Sequence, residues 1–362
     1  MSEQFDFAII GAGIAGASLA AGLAGQGSVL LIEAEDRPGY HATGRSAAFW
    51  TESYGGPLVY PLTEASFDFL NDGGFLSPRG ALTLARADEA GGLNQFIEEF
   101  TALGVAVEPL DRAELDTRIG GLRSEWALGA YEPDCCDIDV AALHQHWLGQ
   151  AAAAGAKLIC RARFGAAQRQ RGMWHLTLQD GRNYTAAVLI NAAGAWADQV
   201  AERCGLGELG IQPYRRTMCQ LRVHHAVPAD LPLTLGFDGS FYFRPEGDRL
   251  WLSPHDEIPS PPCDAAPEEI DIALAIDRFE QALDWPVAAV EHKWAGLRSF
   301  APDRLPVYGF DPRASGFFWF AGQGGFGIQT APAAADLALG LLLGRQGGAV
   351  DPAPYLPDRL IS

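Results

Sequence analysis

A chain of 362 residues with 48% hydrophobic content is long enough for about two domains with buried cores. Its 26 Lys and Arg against 45 Asp and Glu leave a formal charge of −19, which excludes the basic footprint needed for nucleic acid or for an anionic lipid surface. No run of about 18 apolar residues offers a membrane span. The first strand begins almost at once, leaving no room for a signal peptide, so the expectation is a cytoplasmic protein, with a peripheral seat at the inner membrane left open. Cys135, Cys136, Cys160, Cys204, Cys219 and Cys263 form no C-x-x-C, and the histidines show no metal spacing, so no metal site is expected.

The N-terminus carries the most specific signal. An apolar run over residues 5–10 feeds into Gly11-Ala12-Gly13-Ile14-Ala15-Gly16, an alanine-rich helix follows, and a second apolar run over 29–32 ends in Glu33. Gly11 serves the tight turn, Gly13 lets backbone approach a pyrophosphate, and Gly16 lets the helix pack closely on the strand. The helix start offers free N–H groups to phosphate. Glu33, 22 residues after Gly11, is placed to accept from ribose hydroxyls. The unit predicts a dinucleotide site.

Further along, residues 34–56 read as a loop, 61–71 as a helix, 80–86 as a strand and 88–103 as a helix. Residues 139–154 predict a helix capped by Asp137 or Asp139, and 157–163 a strand. Residues 173–178 and 182–185 flank Gln179-Asp180-Gly181 as a hairpin, and 187–190 form a separate buried strand. Strands follow at 215–223, 240–244 and 249–253, with His224 and His225 alternating across a strand, then a helix at 268–283 and a strand at 317–321. Gly324-Gly325-Phe326-Gly327 opens a helix over 328–343. A Rossmann-like α/β nucleotide domain would thus draw on 1–50, 135–210 and 301–362. Residues 51–134 and 211–300 would be inserted as an antiparallel-sheet substrate domain.

Several motifs recur in a fixed order: the opening glycine turn, Thr43-Gly44-Arg45-Ser46-Ala47-Ala48, Asn191-Ala192-Ala193-Gly194-Ala195-Trp196, Trp294-Ala295-Gly296-Leu297-Arg298, Pro302-Asp303 with Pro306 and Gly309, and Gly324-Gly325 with Gly327-Ile328-Gln329-Thr330. This order resembles the D-amino-acid oxidase-type FAD oxidoreductases, which include glycine and sarcosine oxidases and D-amino-acid dehydrogenases. Residues 38–48, Asp137-Ile138-Asp139 and Leu143-His144-Gln145 are similar to the D-arginine dehydrogenase type. The resemblance implies FAD, bound non-covalently because the C-terminal glycine-rich region lacks the cysteine that sarcosine oxidases carry. It implies cofactor contacts from Gly11, Gly13, Ile14, Ala15, Gly16, Glu33 and Ala34. Gly44, Arg45, Ser46, Ala47 and Ala48 follow, then Gly194, Trp196 and Arg298, and finally Gly324, Gly325, Phe326, Gly327, Ile328, Gln329 and Thr330. A helix opened by the last turn would set its positive end beside the flavin edge where negative charge gathers on reduction.

An amino acid needs its carboxylate clamped, which a guanidinium fork does best. The resemblance implies this role for Arg216 and Arg298, with Arg215 on the other strand face. It also implies carboxylate or loop contacts from Tyr242 and Tyr54, with Gly325 and Gln329 lining the site. Phe49 stands where the D-arginine type has a histidine, and Ala81 where it has the glutamate that pairs a guanidinium. A buried cation without its carboxylate is costly, so D-Arg and D-Lys are disfavoured, and Phe49, Trp50, Leu233 and Leu235 would line an apolar pocket. The expected reaction is oxidative deamination of a D-amino acid with a neutral or apolar side chain, with a quinone-like acceptor or oxygen taking the electrons. An oxygen-using oxidase of amino acids or secondary amines, a 2-hydroxy acid dehydrogenase, an electron-transfer flavoprotein and a nicotinamide enzyme are the alternatives.

Overall fold

The computed structural model describes residues 3–345 and 347–361, and two large sheets carry them. In the first, Glu3–Ile10 lies parallel between Val29–Ile32 and Asn183–Asn191, so that Ile10 aligns with both Ile32 and Asn191. Lys157–Ile159 extends it on one side, and Phe317–Ala321 pairs with Asn183–Asn191 on the other. Val29–Ile32 and Phe317–Ala321 are buried throughout, as unbroken apolar strands covered on both faces should be. One face packs on the helices Ile14–Ala24 and Ala331–Leu342 through Leu19, Leu23, Leu337 and Ala338. The other buries Trp174, Phe317 and Trp319 against Val200 and Ile211.

The second sheet is mainly antiparallel. Its long strand Gln212–Val223 pairs with Val287–Phe300 and Arg249–Ser253, and the sheet continues through Tyr242–Glu246, Leu233–Gly236, Ala81–Arg86 and Trp126–Glu132. Side chains alternate across it. Cys219 and Leu221 join Leu250, Leu252 and Phe243 under the helix Glu269–Ala282. Arg216 and Met218 point the opposite way, with Met218 against Tyr242. The chain is therefore a Rossmann-like α/β unit with an antiparallel-sheet unit, and the outward row of the second sheet becomes the wall of a cleft.

Local expectations fare unevenly. Asp139 caps Val140–Ala153, its carboxylate accepting from Ala142 N at 2.9 Å. The helix at 61–71 is two short ones, Tyr60–Glu64 and Phe67–Asp72, and the strand at 157–163 ends at Ile159. Residues 182–185 and 187–190 are one strand, Asn183–Asn191, because pairing with Glu3–Ile10 runs unbroken through Ala186. His224 and His225 lie beyond the strand end at Val223, and His225 stacks on Trp285. The last helix starts at Ala331, not 328, since Pro332 fits its first turn, and Phe326 to Thr330 form turns before it. Among the described residues no helix is long and apolar enough to cross a membrane.

Candidate active site

The opening turn tolerates only glycine. Gly11 sits at φ +101°, and a Cβ there would lie 2.4 Å from the Ala192 carbonyl oxygen. Both Glu33 oxygens are held by backbone, accepting from Ala12 N at 3.1 Å and Glu35 N at 2.9 Å, which fixes a carboxylate at the end of its strand. Thr43 Oγ1 accepts from Ile14 N at 2.9 Å. His144 Nε2 donates to the Ala12 carbonyl at 3.0 Å, and burial keeps that imidazole below its usual pKa.

A cleft of about 270 Å³ runs from Glu33 and Ala34 past Gly11, Gly13, Ile14 and Ala15. It continues along Arg45, Ser46, Ala47, Gly194 and Trp196, and ends at Arg216, Tyr242, Arg298, Gly324, Gly325, Gly327 and Ile328. An acid at one end, a bare glycine turn near it and a pair of cations at the other suit a long dinucleotide with an anionic partner. Six expected contacts lie outside it, and of these Ala48 and Gln329 line an adjoining cavity instead. Gly16 instead backs the turn, where a Cβ would come within 1.9 Å of Gly11 O. Gly44 closes the next loop by donating to Gly39 O at 2.8 Å. Phe326 packs with Val59 and Phe300, and Thr330 Oγ1 turns back to Phe326 O at 2.9 Å. Arg45 lines the cleft but spends its guanidinium on Asp264 and on the Ala265 and Ala295 carbonyls, tying two loops together.

The far end is built on the outward row of the second sheet. Arg216 is 4% exposed, donates Nε to the Asp256 carbonyl at 2.7 Å and reaches Glu257 at 3.3 Å, yet its Nη1 is buried with no partner. Arg298 donates Nη1 to the Tyr54 hydroxyl at 2.6 Å. Tyr242 donates to Met218 Sδ at 3.0 Å, and its ring lies 6.0 Å from the Arg216 guanidinium carbon. Arg215 faces away, paired with Glu268 and Asp271 of the helix behind the sheet. A Cβ on Gly325 would stand 2.2 Å from Tyr54 Oη and 2.7 Å from Arg298 Nη1, so this corner has no room for a side chain.

A smaller cavity of about 50 Å³ adjoins, lined by Ala48, Phe49, Leu233, Leu235 and His255 among others. Trp50 is not part of it: its indole donates to Thr63 O at 2.9 Å within the core. Gln329 borders the cavity, but its amide holds Tyr54 O at 3.2 Å and Thr63 Oγ1 at 2.8 Å, so it supports the Tyr54 loop. Beneath that loop Glu132, 5% exposed, accepts from Thr51 at 3.0 Å and Ser53 at 2.8 Å, and burial raises its pKa.

Sequence reasoning did not single out His255, Glu132 or the capping role of Thr43. His255 follows the end of Arg249–Ser253 in an irregular Ser-Pro-His-Asp stretch, where no periodicity marks an inward side chain. Glu132 ends its strand inside the protein, and only the hydroxyls of Thr51 and Ser53, distant in sequence, explain it.

A family model described as FAD dependent oxidoreductase matches residues 6–341. Glycine oxidase of Pseudomonas aeruginosa is 33% identical over 173 residues, 47% of this chain and 45% of that enzyme, so the match spans less than half of the relative's length. Among solved structures, glycine oxidase from Geobacillus kaustophilus superposes with a TM-score of 0.86 at 23% identity, covering 100% of both chains. L-proline dehydrogenase from P.horikoshii reaches 0.86 at 20% identity, covering 99% of this chain and 98% of that one.

Proposed function

The chain belongs to the FAD dependent oxidoreductase family and FAD is its cofactor; from that premise we propose that it oxidises the carbon–nitrogen bond of a small amino acid held by its carboxylate. The observation that carries this is the pair of inward guanidinium groups, Arg216 with its buried, unpartnered Nη1 and Arg298 beside it, at the end of the cleft. Glu257 meets one of these two cations, so the unpartnered Nη1 of Arg216 and the neighbouring Arg298 leave a place for one further anion, and each charge-assisted hydrogen bond contributes roughly 1.5–3 kcal/mol.

In this reading residues 1–50, 135–210 and 301–362 hold the cofactor without a covalent bond, and 51–134 and 211–300 hold the substrate. Glu33 accepts from the ribose, the Gly11–Gly13 turn meets the pyrophosphate, and Gly324, Gly325 and Ile328 border the flavin end. FAD held there would supply the hydride acceptor for oxidation at the substrate α-carbon. The two arginines fix the carboxylate, and through it the orientation of the α-carbon. Tyr54 covers the ligand from its loop. The substrate's own amine lone pair assists the step, so no side chain need act as a general base, and the imino acid hydrolyses in water to a 2-oxo acid and ammonia.

The D-configuration and the kinship with the D-arginine dehydrogenase type rest on the motifs at 38–48 and 137–145. Phe49 and Ala81 argue for a neutral side chain. The test is anaerobic bleaching of the purified yellow protein by matched D- and L-amino acids. Bleaching by neutral D-amino acids with ammonia release is the expected result, and peroxide formed on admitting air separates oxygen from a quinone-like acceptor. Bleaching by 2-hydroxy acids alone, or by no amine, would overturn the reading.

A further inference from the structure

His255 has no part in the account above, yet it borders the smaller cavity together with Arg298 and Tyr242. Its backbone is left-handed at φ +55°, a conformation a histidine adopts at some cost and one that gathers at functional positions. Two bonds hold it there. Its backbone N–H donates to Ser253 Oγ at 3.1 Å, and its Nδ1 lies 3.0 Å from the Gly239 carbonyl. A carbonyl can only accept, so Nδ1 carries the proton and Nε2 of the neutral ring carries a lone pair. Among the described residues none bonds to Nε2. The ring also meets Tyr242 edge-on at 5.4 Å, which fixes its plane.

The electrostatics agree with that tautomer. Burial, then Arg216 and Arg298, hold the imidazole down to a pKa of about 3, so it stays neutral across the working range. A carboxylate bound to the arginines would find the Nε2 lone pair repulsive, so the ligand group turned toward it must be a donor. An α-amino group is also disfavoured next to two guanidinium groups unless an acceptor compensates. A further Asp or Glu beside Glu257, which already meets Arg216 at 3.3 Å, would compete with the ligand for the arginines, whereas a neutral imidazole accepts without doing so.

We propose that His255 is a specificity-determining residue: its Nε2 accepts a hydrogen bond from the substrate's α-amine and so sorts amino acids from plain carboxylates at the same arginines. This rests on the carboxylate reading of Arg216 and Arg298, but it is read from binding rather than turnover. The experiment takes the protein with its flavin already reduced by dithionite under argon, so that no hydride can leave the ligand, and titrates it with isosteric pairs, glycine against propionate and D-alanine against isobutyrate, following the heat of binding. Trimethylglycine, a quaternary ammonium, serves as a ligand with the same carboxylate and no N–H.

The intact protein is expected to favour glycine over both propionate and trimethylglycine by tenfold or more. His255→Asn tolerates the left-handed backbone and keeps a donor for Gly239, but loses the distal acceptor. It should cut that preference at least tenfold while propionate binding moves less than twofold. His255→Gln, which restores a distal acceptor, should recover part of it. Equal loss of both ligands in His255→Asn, or an unchanged preference, would overturn the proposal. So would an intact protein with no preference for glycine, whatever the variants do. If no amine bleaches the flavin, the proposed function fails while these binding ratios still decide the role of His255.

Discussion

Arg298 and Tyr54, 244 residues apart, meet in a 2.6 Å hydrogen bond between Nη1 and the phenol oxygen. That bond joins the long strand Val287–Phe300 to a loop whose next residues, Gly55 and Gly56, are both left-handed at φ +101° and +81°. The loop is held through Glu132 and Gln329, and its two glycines take backbone that other residues rarely adopt. A carboxylate arriving at Arg298 must share or displace the Tyr54 hydroxyl, so ligand binding and loop position are one event.

Removing the cation should separate binding from cofactor retention. Arg298→Ala is expected to raise the half-saturating concentration of a bleaching amino acid at least tenfold, about 1.4 kcal/mol or more, with flavin still bound. Tyr54→Phe leaves the guanidinium in place and should give a smaller rise. Steady-state kinetics and flavin content of both variants check this, and unchanged kinetics in Arg298→Ala would take that residue out of the site.

Gly325→Ala tests the closeness of the corner. The new methyl would stand 2.2 Å from Tyr54 Oη and 2.7 Å from Arg298 Nη1. Both are far ends of side chains that can swing aside, so folding should survive with a Tm change of only a few degrees. The Tyr54–Arg298 bond should not, and KM should rise tenfold or more. Thermal melting run alongside kinetics distinguishes the two, because a large drop in Tm would show that backbone had moved instead.

The parts of this architecture legible in the sequence are those where one segment states its own chemistry. The tight turn at Gly11, the place of Glu33 at the end of its strand and the buried strands Val29–Ile32 and Phe317–Ala321 are local statements, and the structure has them. Arg215 and Arg216 could be told apart because a strand alternates faces, and one does go to Glu268 while its neighbour faces the cleft. Val287–Phe300 was not anticipated, since its exposed stretch around Glu291 and Lys293 hides an apolar alternation that becomes regular only near Ala295. The resemblance implies Phe326 as a cofactor contact, whereas its side chain packs with Val59 and Phe300. His255 could not be read at all, because its meaning comes from a carbonyl sixteen residues away and from two arginines on other strands.

Gly16→Ala probes the cofactor end with a backbone clash in place of a side-chain one. Its Cβ would fall 1.9 Å from the Gly11 carbonyl oxygen, and neither partner can rotate away. The helix Ile14–Ala24 must then shift from the strand it covers, at a cost of about 3 kcal/mol. The expected product is a colourless or weakly loaded protein with a lower Tm that added FAD only partly restores. Full flavin content in the purified variant would mean that the turn tolerates more play than its geometry implies.

Glu52, two residues before Tyr54, makes the loop sensitive to pH. Burial raises its carboxyl from an ordinary 4.5 to about 7, and the nearby charges of Asp134, Glu132 and Glu64 add to the effect. Between those two values the folded protein keeps a proton that the unfolded chain releases, so stability falls as pH rises through the window and levels off above 7. Because the side chain is only half-buried, solvent screening reduces this to about 1 kcal/mol. Glu52→Gln cannot ionise and should match the parent at pH 5 but melt about 2 °C higher at pH 8. Parallel Tm-against-pH curves for the two proteins would show that the charge at Glu52 is already relieved by water, and that the Tyr54 loop is not under acid–acid repulsion.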